Sequence, residues 1–327
     1  MREYNHYLDL INEAIKRINY PEQPKQLYEP IAYTMSLGGK RLRPVLALMA
    51  FEAMNGVEAD AQSAVNAALG IELFHNFTLL HDDVMDRADV RRGKPTVHCK
   101  WNDNVAILSG DAMLTMATQT VSRVGDDILR DILDLFNTTA MEIYEGQQYD
   151  MDFEQRNDVT VEEYINMIRL KTSVLLGCAC KAGAIVAHAS ASNAQALYEM
   201  GVNLGLAFQL QDDYLDVWGD PATFGKATGG DIACNKKTFL LINAMNRANG
   251  DDAVELNQWL SIDEAFKHEK IAAVTALYEK LGLKELARKA IEDYSQQALA
   301  SLRQVEMGDE ARQAFKKLIN GLVNRDK

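Results

Sequence analysis

The stretch IELFHNFTLLHDDVMD, residues 71–86, decides the reading of this chain. Within it Ile71, His75, Thr78, Asp82 and Asp86 recur at spacings of four, three, four and four, which is one face of an α-helix. Upstream, Ala64, Ala67, Ala68 and Ile71 continue an apolar stripe at the same period. A buried helix therefore ends in acid. Asp82 and Asp86 lie one turn apart, with Asp83 offset by about 100°. Like charges at that spacing destabilise an isolated helix, so the pattern calls for something positive beside it. Two carboxylates one turn apart can grip a hard divalent cation such as Mg²⁺. Taken alone, the motif would more simply be a solvated acidic helix end.

A second copy changes that balance. QDDYLD, residues 211–216, closes another apolar helical segment, whose face carries Gly201, Gly205, Gln209, Asp212 and Asp216. Glycine inside a helix costs about 1 kcal/mol relative to alanine, so two on one stripe point to close helix approach or cleared space. Two such acidic ends fit helices facing each other across a metal cluster. Six carboxylates around one cavity would repel one another when empty; Mg²⁺ ions and a polyanionic ligand would neutralise them.

Cationic segments flank the acidic ones. GGKRLRP, residues 38–44, is not a nucleotide P-loop, but its glycines free the backbone while Lys40 and Arg43 offer point and forked charges suited to a diphosphate. DVRRGKP, residues 89–95, follows the first acidic motif directly. Its two arginines are either salt-bridge partners of the carboxylates or, with metal bound, ligands for diphosphate. Lys171-Thr172, Lys226 and Lys236-Lys237 add cations near chain breaks.

The wider composition agrees with a globular protein. Of 327 residues, 47% are hydrophobic and 25% charged, and the net charge is −13. That acidity argues against nucleic acid as the main partner. No run approaches the ~18 unbroken apolar residues of a membrane span, and the first ten residues lack the apolar core of a signal peptide. Four cysteines, Cys99, Cys178, Cys180 and Cys234, have neither zinc nor disulfide spacing and read as free thiols of a reducing cytoplasm. Helical stripes recur at Met113, Met116, Ala117 and Thr120, at Leu204, Ala207 and Phe208, and at Ile271, Val274, Leu277 and Tyr278. Breaks are expected over Pro21–Pro30, Gly38-Gly39, Gly93–Pro95, Gly125, Gly219–Gly230 and Gly250. With no linker and no alternating strand runs, the expectation is an all-α, single-domain helical bundle over residues 1–327, of about ten or more helices.

The GGKRLRP, HDDVMD, RRGKPT and QDDYLD elements, in this order and spacing, resemble the trans-isoprenyl diphosphate synthases, the head-to-tail prenyltransferases. The resemblance runs by motif from Gly38 to about Lys237. It implies the isoprenoid synthase fold, helices around a deep central cavity, and a homodimer. It implies Mg²⁺, three ions once substrate is bound, held by Asp82, Asp86 and Asp212 with Asp83 and Asp216 supporting. Lys40, Arg43, His75 and Arg92 would bind isopentenyl diphosphate. Arg91, Lys171, Thr172, Gln209 and Lys226 would serve the allylic diphosphate, dimethylallyl, geranyl or farnesyl. Lys236 matches a lysine near the cavity mouth, and Gln147 and Asp150 stand behind the ligands. The implied chemistry is ionisation, condensation and proton loss, with Thr172, Gln209 and backbone carbonyls steadying the cation.

By the same resemblance the growing tail runs down the first acidic helix. Thr78 lies roughly 6 Å deeper than Asp82, Phe77 7–8 Å and Phe74 12 Å. Long-chain members tend to carry a small residue at the place of Phe77, and farnesyl diphosphate synthases a bulky one at that of Thr78. This chain has neither, which gives a C15 to C20 product with geranylgeranyl diphosphate favoured. Phe74, Phe77 and Thr78 would form the floor, unless the aromatic pair is ordinary core. Two alternatives are a class I terpene cyclase, which usually lacks a second Asp-rich motif of this kind, and a non-catalytic partner subunit, which usually has degraded motifs.

Overall fold

The computed structural model of the chain describes residues 1–56, 60–220 and 228–323. The fold is all-α. Its helices are α1 (Tyr4–Lys16), α2 (Lys25–Ser36), α3 (Leu42–Ala53), α4 (Ala61–Met85), α5 (Val97–Lys100), α6 (Asp103–Val121), α7 (Leu129–Glu154) and α8 (Val161–Ile168). There follow α9 (Val174–Val186), α10 (Ala191–Trp218), α11 (Gly230–Ala233), α12 (Phe239–Arg247), α13 (Asp251–Leu260), α14 (Lys267–Lys280), α15 (Leu283–Gln304) and α16 (Asp309–Val323). A five-residue π-turn, Arg169–Ser173, joins α8 to α9. None of the described helices is long and apolar enough to cross a membrane.

The chain divides into two compact units. The first comprises Met1–Thr138, Cys178–Tyr198 and Val305–Ala314. At its centre α4 packs on α3 and α6 and is buried nearly all round, from Ala64 to Leu80. A helix apolar on every side belongs inside a core. At Gly110 α6 comes so close to α4 that a Cβ there would lie 2.1 Å from His81 Nε2. The second unit comprises Thr139–Gly177, Glu199–Gln304 and Phe315–Lys327. There Gly201 and Gly205 of α10 lie against the backbone of residues 173–177, where a Cβ would come within 2.6–2.7 Å. The glycine stripe is thus a close-approach surface.

Two local features differ from the sequence expectation. The sequence predicts a break at Pro30, yet the residue lies inside α2, which starts at Lys25 after Pro24. The ring removes one helical hydrogen bond, at a cost of about 3 kcal/mol. Burial of Ile31, Thr34 and Met35 on the same helix offsets it. The second feature is a small hairpin, β1 (Val90–Arg91) and β2 (Lys94–Pro95), antiparallel with Arg91 opposite Lys94. Its turn residues Arg92 (φ 53°) and Gly93 (φ 73°) are both left-handed, the conformation of a tight two-residue turn.

Candidate active site: acidic helix ends and cationic clusters

In the first unit α4 carries its acids to its C-terminal end, with Asp86 as the capping residue. The last carbonyls of a helix form its negative pole, so carboxylates are least welcome there. Asp82 is half-buried and Asp86 exposed. Asp83 faces inward, 4% exposed, and is gripped by Arg91. Nε of Arg91 lies 2.8 and 2.9 Å from the two carboxylate oxygens and its terminal nitrogen 2.7 Å from one of them. The guanidinium has five donors, and this pair uses one edge of it. Asp83 thus fixes the hairpin strand to α4, while Asp82 and Asp86 share the other face.

Beside it stands a cationic cluster. Gly38 (φ 76°), Gly39 (φ 135°) and Arg41 (φ 49°) turn the chain into α3. Arg41 is not part of the binding surface. It is buried, bonded to Glu72 Oε1 at 2.6 Å and to the Met35 carbonyl at 2.7 Å. Arg43 lies in the first turn of α3 and donates to His75 Nε2 at 3.2 Å. Its buried Nε has no hydrogen-bond partner. Burial draws the Arg43 pKa down to about 10, with Glu72 opposing and Arg92 adding. Burial and the charges of Arg43, Arg92, Arg91 and Arg41 hold His75 well below the ordinary histidine value. His75 is therefore a neutral acceptor for Arg43. Arg92, at the hairpin turn, donates to the Gly38 carbonyl. A Cβ at Gly39 would stand 2.8 Å from the Arg92 guanidinium, so glycine is what lets it lie there. Lys40 is exposed, its carbonyl held by the Tyr4 hydroxyl. The cluster has more positive charge than its own carboxylates neutralise, as an anion site requires.

The second unit repeats the acidic arrangement on α10. Asp212 and Asp216 are half-buried and Asp213 is buried. Asp213 accepts from the Tyr164 hydroxyl and, at 3.2 Å, from Gln209 Nε2. Burial, with Asp231 adding, pushes its pKa up to about 7 against those hydrogen bonds. Asp216 Oδ2 accepts from the Asp231 amide at 3.0 Å. The π-turn places Lys171 and Thr172, and α8 before it is fixed by a capping box between Thr160 and Glu163. Thr172 donates to Gln209 Oε1 at 3.2 Å, while Lys171 is paired with Asp150. Burial works to raise the Asp150 pKa, but Lys236 and Lys171 outweigh it and hold it below the usual value.

Below Asp82 on α4, Phe77 stacks between His81 (4.8 Å) and Phe74 (5.5 Å), and Phe74 meets Phe136 of α7 edge-on at 5.2 Å. Phe74 is fully buried and Phe77 is 5% exposed. Thr78 is half-buried, its hydroxyl bonded to the His75 carbonyl at 2.8 Å.

Each unit therefore gathers its own expected residues: Arg43, His75, Arg91 and Arg92 with the first acidic motif, and Lys171, Thr172, Gln209 and Asp150 with the second. Lys226 lies outside the described residues. Sequence reasoning missed Glu72, Tyr164 and Phe136, which act on site residues from distant chain positions. Among the described residues no three His, Cys, Asp or Glu side chains enclose a metal ion by themselves.

A family model described as polyprenyl synthetase matches residues 24–280. The chain is 38% identical over 321 residues to the short chain isoprenyl diphosphate synthase of Methanothermobacter thermautotrophicus, covering 98% of this chain and 97% of that one. It is 42% identical over 239 residues to the geranylgeranyl diphosphate synthase of Methanosarcina mazei, covering 72% and 73%. A crystal structure of a geranylgeranyl pyrophosphate synthase matches with a TM-score of 0.94 at 44% identity over 100% of both chains.

Proposed function

The chain belongs to the polyprenyl synthetase family and is a prenyltransferase, and from that premise we propose that it joins isopentenyl diphosphate head-to-tail to allylic diphosphates. The starters would be dimethylallyl, geranyl and farnesyl diphosphate. The product would be an all-trans chain of C15 to C20, with geranylgeranyl diphosphate favoured. The names of the relatives from Methanosarcina mazei and of the matching crystal structure support C20. One observation carries the reading. Within a single unit, paired carboxylates at a helix end stand on the same α4 as His75, the neutral acceptor of an arginine cluster. Those are the two halves of metal-assisted diphosphate chemistry.

The donor set fits Mg²⁺: hard oxygens, in pairs one turn apart, at helix ends that are already negative. Mg²⁺ keeps several waters and takes one or two carboxylates plus substrate phosphates, so pairs suffice. Asp82, Asp86, Asp212 and Asp216 would hold the ions, with Asp83 acting through Arg91. Bound Mg²⁺ would supply Lewis-acid charge to the leaving diphosphate. Arg91 and Lys171 bind the allylic diphosphate, with Lys226 completing the set. Lys40, Arg43, His75 and Arg92 bind that of isopentenyl diphosphate. Thr172 donates to Gln209 Oε1, and the oxygens of this pair would steady the developing allylic cation. The isopentenyl double bond attacks the cation, and the departed diphosphate takes the proton released.

We further propose a homodimer in the cytoplasm. α6 exposes Ile107 (45%) and Leu108 (60%) side by side, an apolar face suited to a second copy. All four cysteines are free thiols, in keeping with a reducing compartment.

The deciding experiment incubates the protein with labelled isopentenyl diphosphate, Mg²⁺ and each of the C5, C10 and C15 allylic diphosphates, with a chelator control. Mg²⁺-dependent elongation stopping at C20 is the expected result. No elongation with any starter would overturn the proposal, and release of a cyclic hydrocarbon would replace it with a cyclase.

A further inference from the structure

Lys270 is the one buried lysine among the described residues, 4% exposed in the first turn of α14. Both its burial and its place are unfavourable. Lysine is almost never buried without a partner, and a helix N-terminus is the positive pole. Burial draws its pKa down from the ordinary lysine value. Its ammonium donates not to a carboxylate but to the Ala233 carbonyl at the end of α11, at 3.1 Å.

That carbonyl belongs to a segment wrapped around Asp216. The Gly229 amide donates to the Asp216 carbonyl at 2.5 Å, and the Asp231 amide donates to Asp216 Oδ2 at 3.0 Å. The Lys236 amide returns to the Asp231 carbonyl at 2.9 Å. The next residue on α14, Ile271, lies against Gly229, where a Cβ would be 2.5 Å from Ile271 Cγ2. Gly229 is left-handed at φ 83°, a further reason for glycine there. Asn235 adds an outer tie, donating to the Leu260 carbonyl at 2.8 Å. Consecutive residues of α14 therefore hold the segment at Gly229 and at Ala233. Between them sits the amide that sets the direction of the Asp216 carboxylate.

We propose that Lys270 is a positioning residue: by holding the Ala233 carbonyl it fixes residues 229–236, whose Asp231 amide aims Asp216, and so it sets the metal affinity of this helix end. The inference rests on the reading of Asp216 as a metal-holding carboxylate. Lys270 touches neither substrate nor metal in this role. Groups that orient a metal ligand from behind typically change affinity by about 10–100-fold when removed. Loss of the Lys270 contact would also take this donor from the half-buried Ala233 carbonyl, which loosens the segment further.

The test compares the wild-type protein with Lys270→Met, which keeps the stem and removes the donor, and with Lys270→Arg, which keeps the charge. Two readouts are taken: the Mg²⁺ concentration for half-maximal turnover, and the thermal shift produced by Mg²⁺ with inorganic diphosphate. Lys270→Met is expected to need about tenfold more Mg²⁺ in both readouts, with kcat at saturating Mg²⁺ and the KM for isopentenyl diphosphate close to wild type. Lys270→Arg should recover most of the difference. Equal Mg²⁺ midpoints in wild type and Lys270→Met, even with a lower melting temperature in the variant, would reduce Lys270 to a structural residue and overturn the inference. Should Lys270→Met not fold, Asn235→Ala loosens the same segment at its outer tie, and an unchanged midpoint there overturns the inference equally. A wild-type protein with neither Mg²⁺-dependent turnover nor a Mg²⁺-dependent shift would instead sink the proposed function.

Discussion

His75 sits among arginines and stays neutral. In an unfolded chain a histidine titrates near 6.5. In the folded protein burial and the charges of Arg43, Arg92, Arg91 and Arg41 hold it well below that. Between the two values the unfolded chain binds a proton that the folded one refuses, so stability rises with pH across the window. The contribution is complete above about 6.5 and is lost as pH falls below it. The melting temperature of the wild-type protein should therefore drop more steeply between pH 7 and pH 5 than that of His75→Gln. Parallel slopes would show that the arginines do not crowd His75. Inorganic diphosphate should flatten the wild-type slope, because a bound anion makes the imidazolium welcome.

At the scale of the element, α4 does two jobs along its length. Its end carries the acids, and the turns before it carry Phe77 and Phe74. Phe77 is flanked by His81 and Phe74, and Phe74 is backed by Phe136, so the stack is layered. Removing Phe77 would open the first layer and leave the second closed. Phe77→Ala should lengthen the product by a limited step, at a stability cost of about 3–5 kcal/mol. Thr78→Phe should shorten it. Chain lengths resolved after dephosphorylation check both, and an unchanged spectrum in both would place the floor on other helices. The sequence announced α4 through its period, and it announced the 100° offset of Asp83 from its neighbours. It offered the Gly201 and Gly205 stripe as close helix approach or cleared space, and the structure shows the close approach. Partners far along the chain were not announced. Nothing local to Phe74 names Phe136, and nothing local to Asp213 names Tyr164, because such pairings are decided by which helices meet. Pro30 misled for a related reason: a local breaker was outvoted by burial of the helix that contains it.

For the whole molecule, charge and association are linked. Each chain carries a net charge of −13, so two copies repel at long range. In the proposed homodimer the α6 residues Ile107 and Leu108 would have to overcome that repulsion. Sedimentation should find the dimer favoured by moderate salt, which screens the repulsion, and shifted towards monomer by Leu108→Glu. A monomer under all conditions would remove α6 as a contact face. Helix content was legible from composition and period, whereas the division into two compact units was not. No linker marks it, and its boundaries at Thr138, Gly177 and Tyr198 fall inside α7, α9 and α10. Each unit is assembled from three separate stretches, the last of them Val305–Ala314 in the first unit and Phe315–Lys327 in the second. Each unit closes only with residues beyond 304, after stretches of the other unit have intervened. No contiguous fragment of the chain holds one unit whole without stretches of the other. Any single cut in the chain divides at least one unit between the two fragments, so a nicked molecule would be held together by its own packing where two units in series would part.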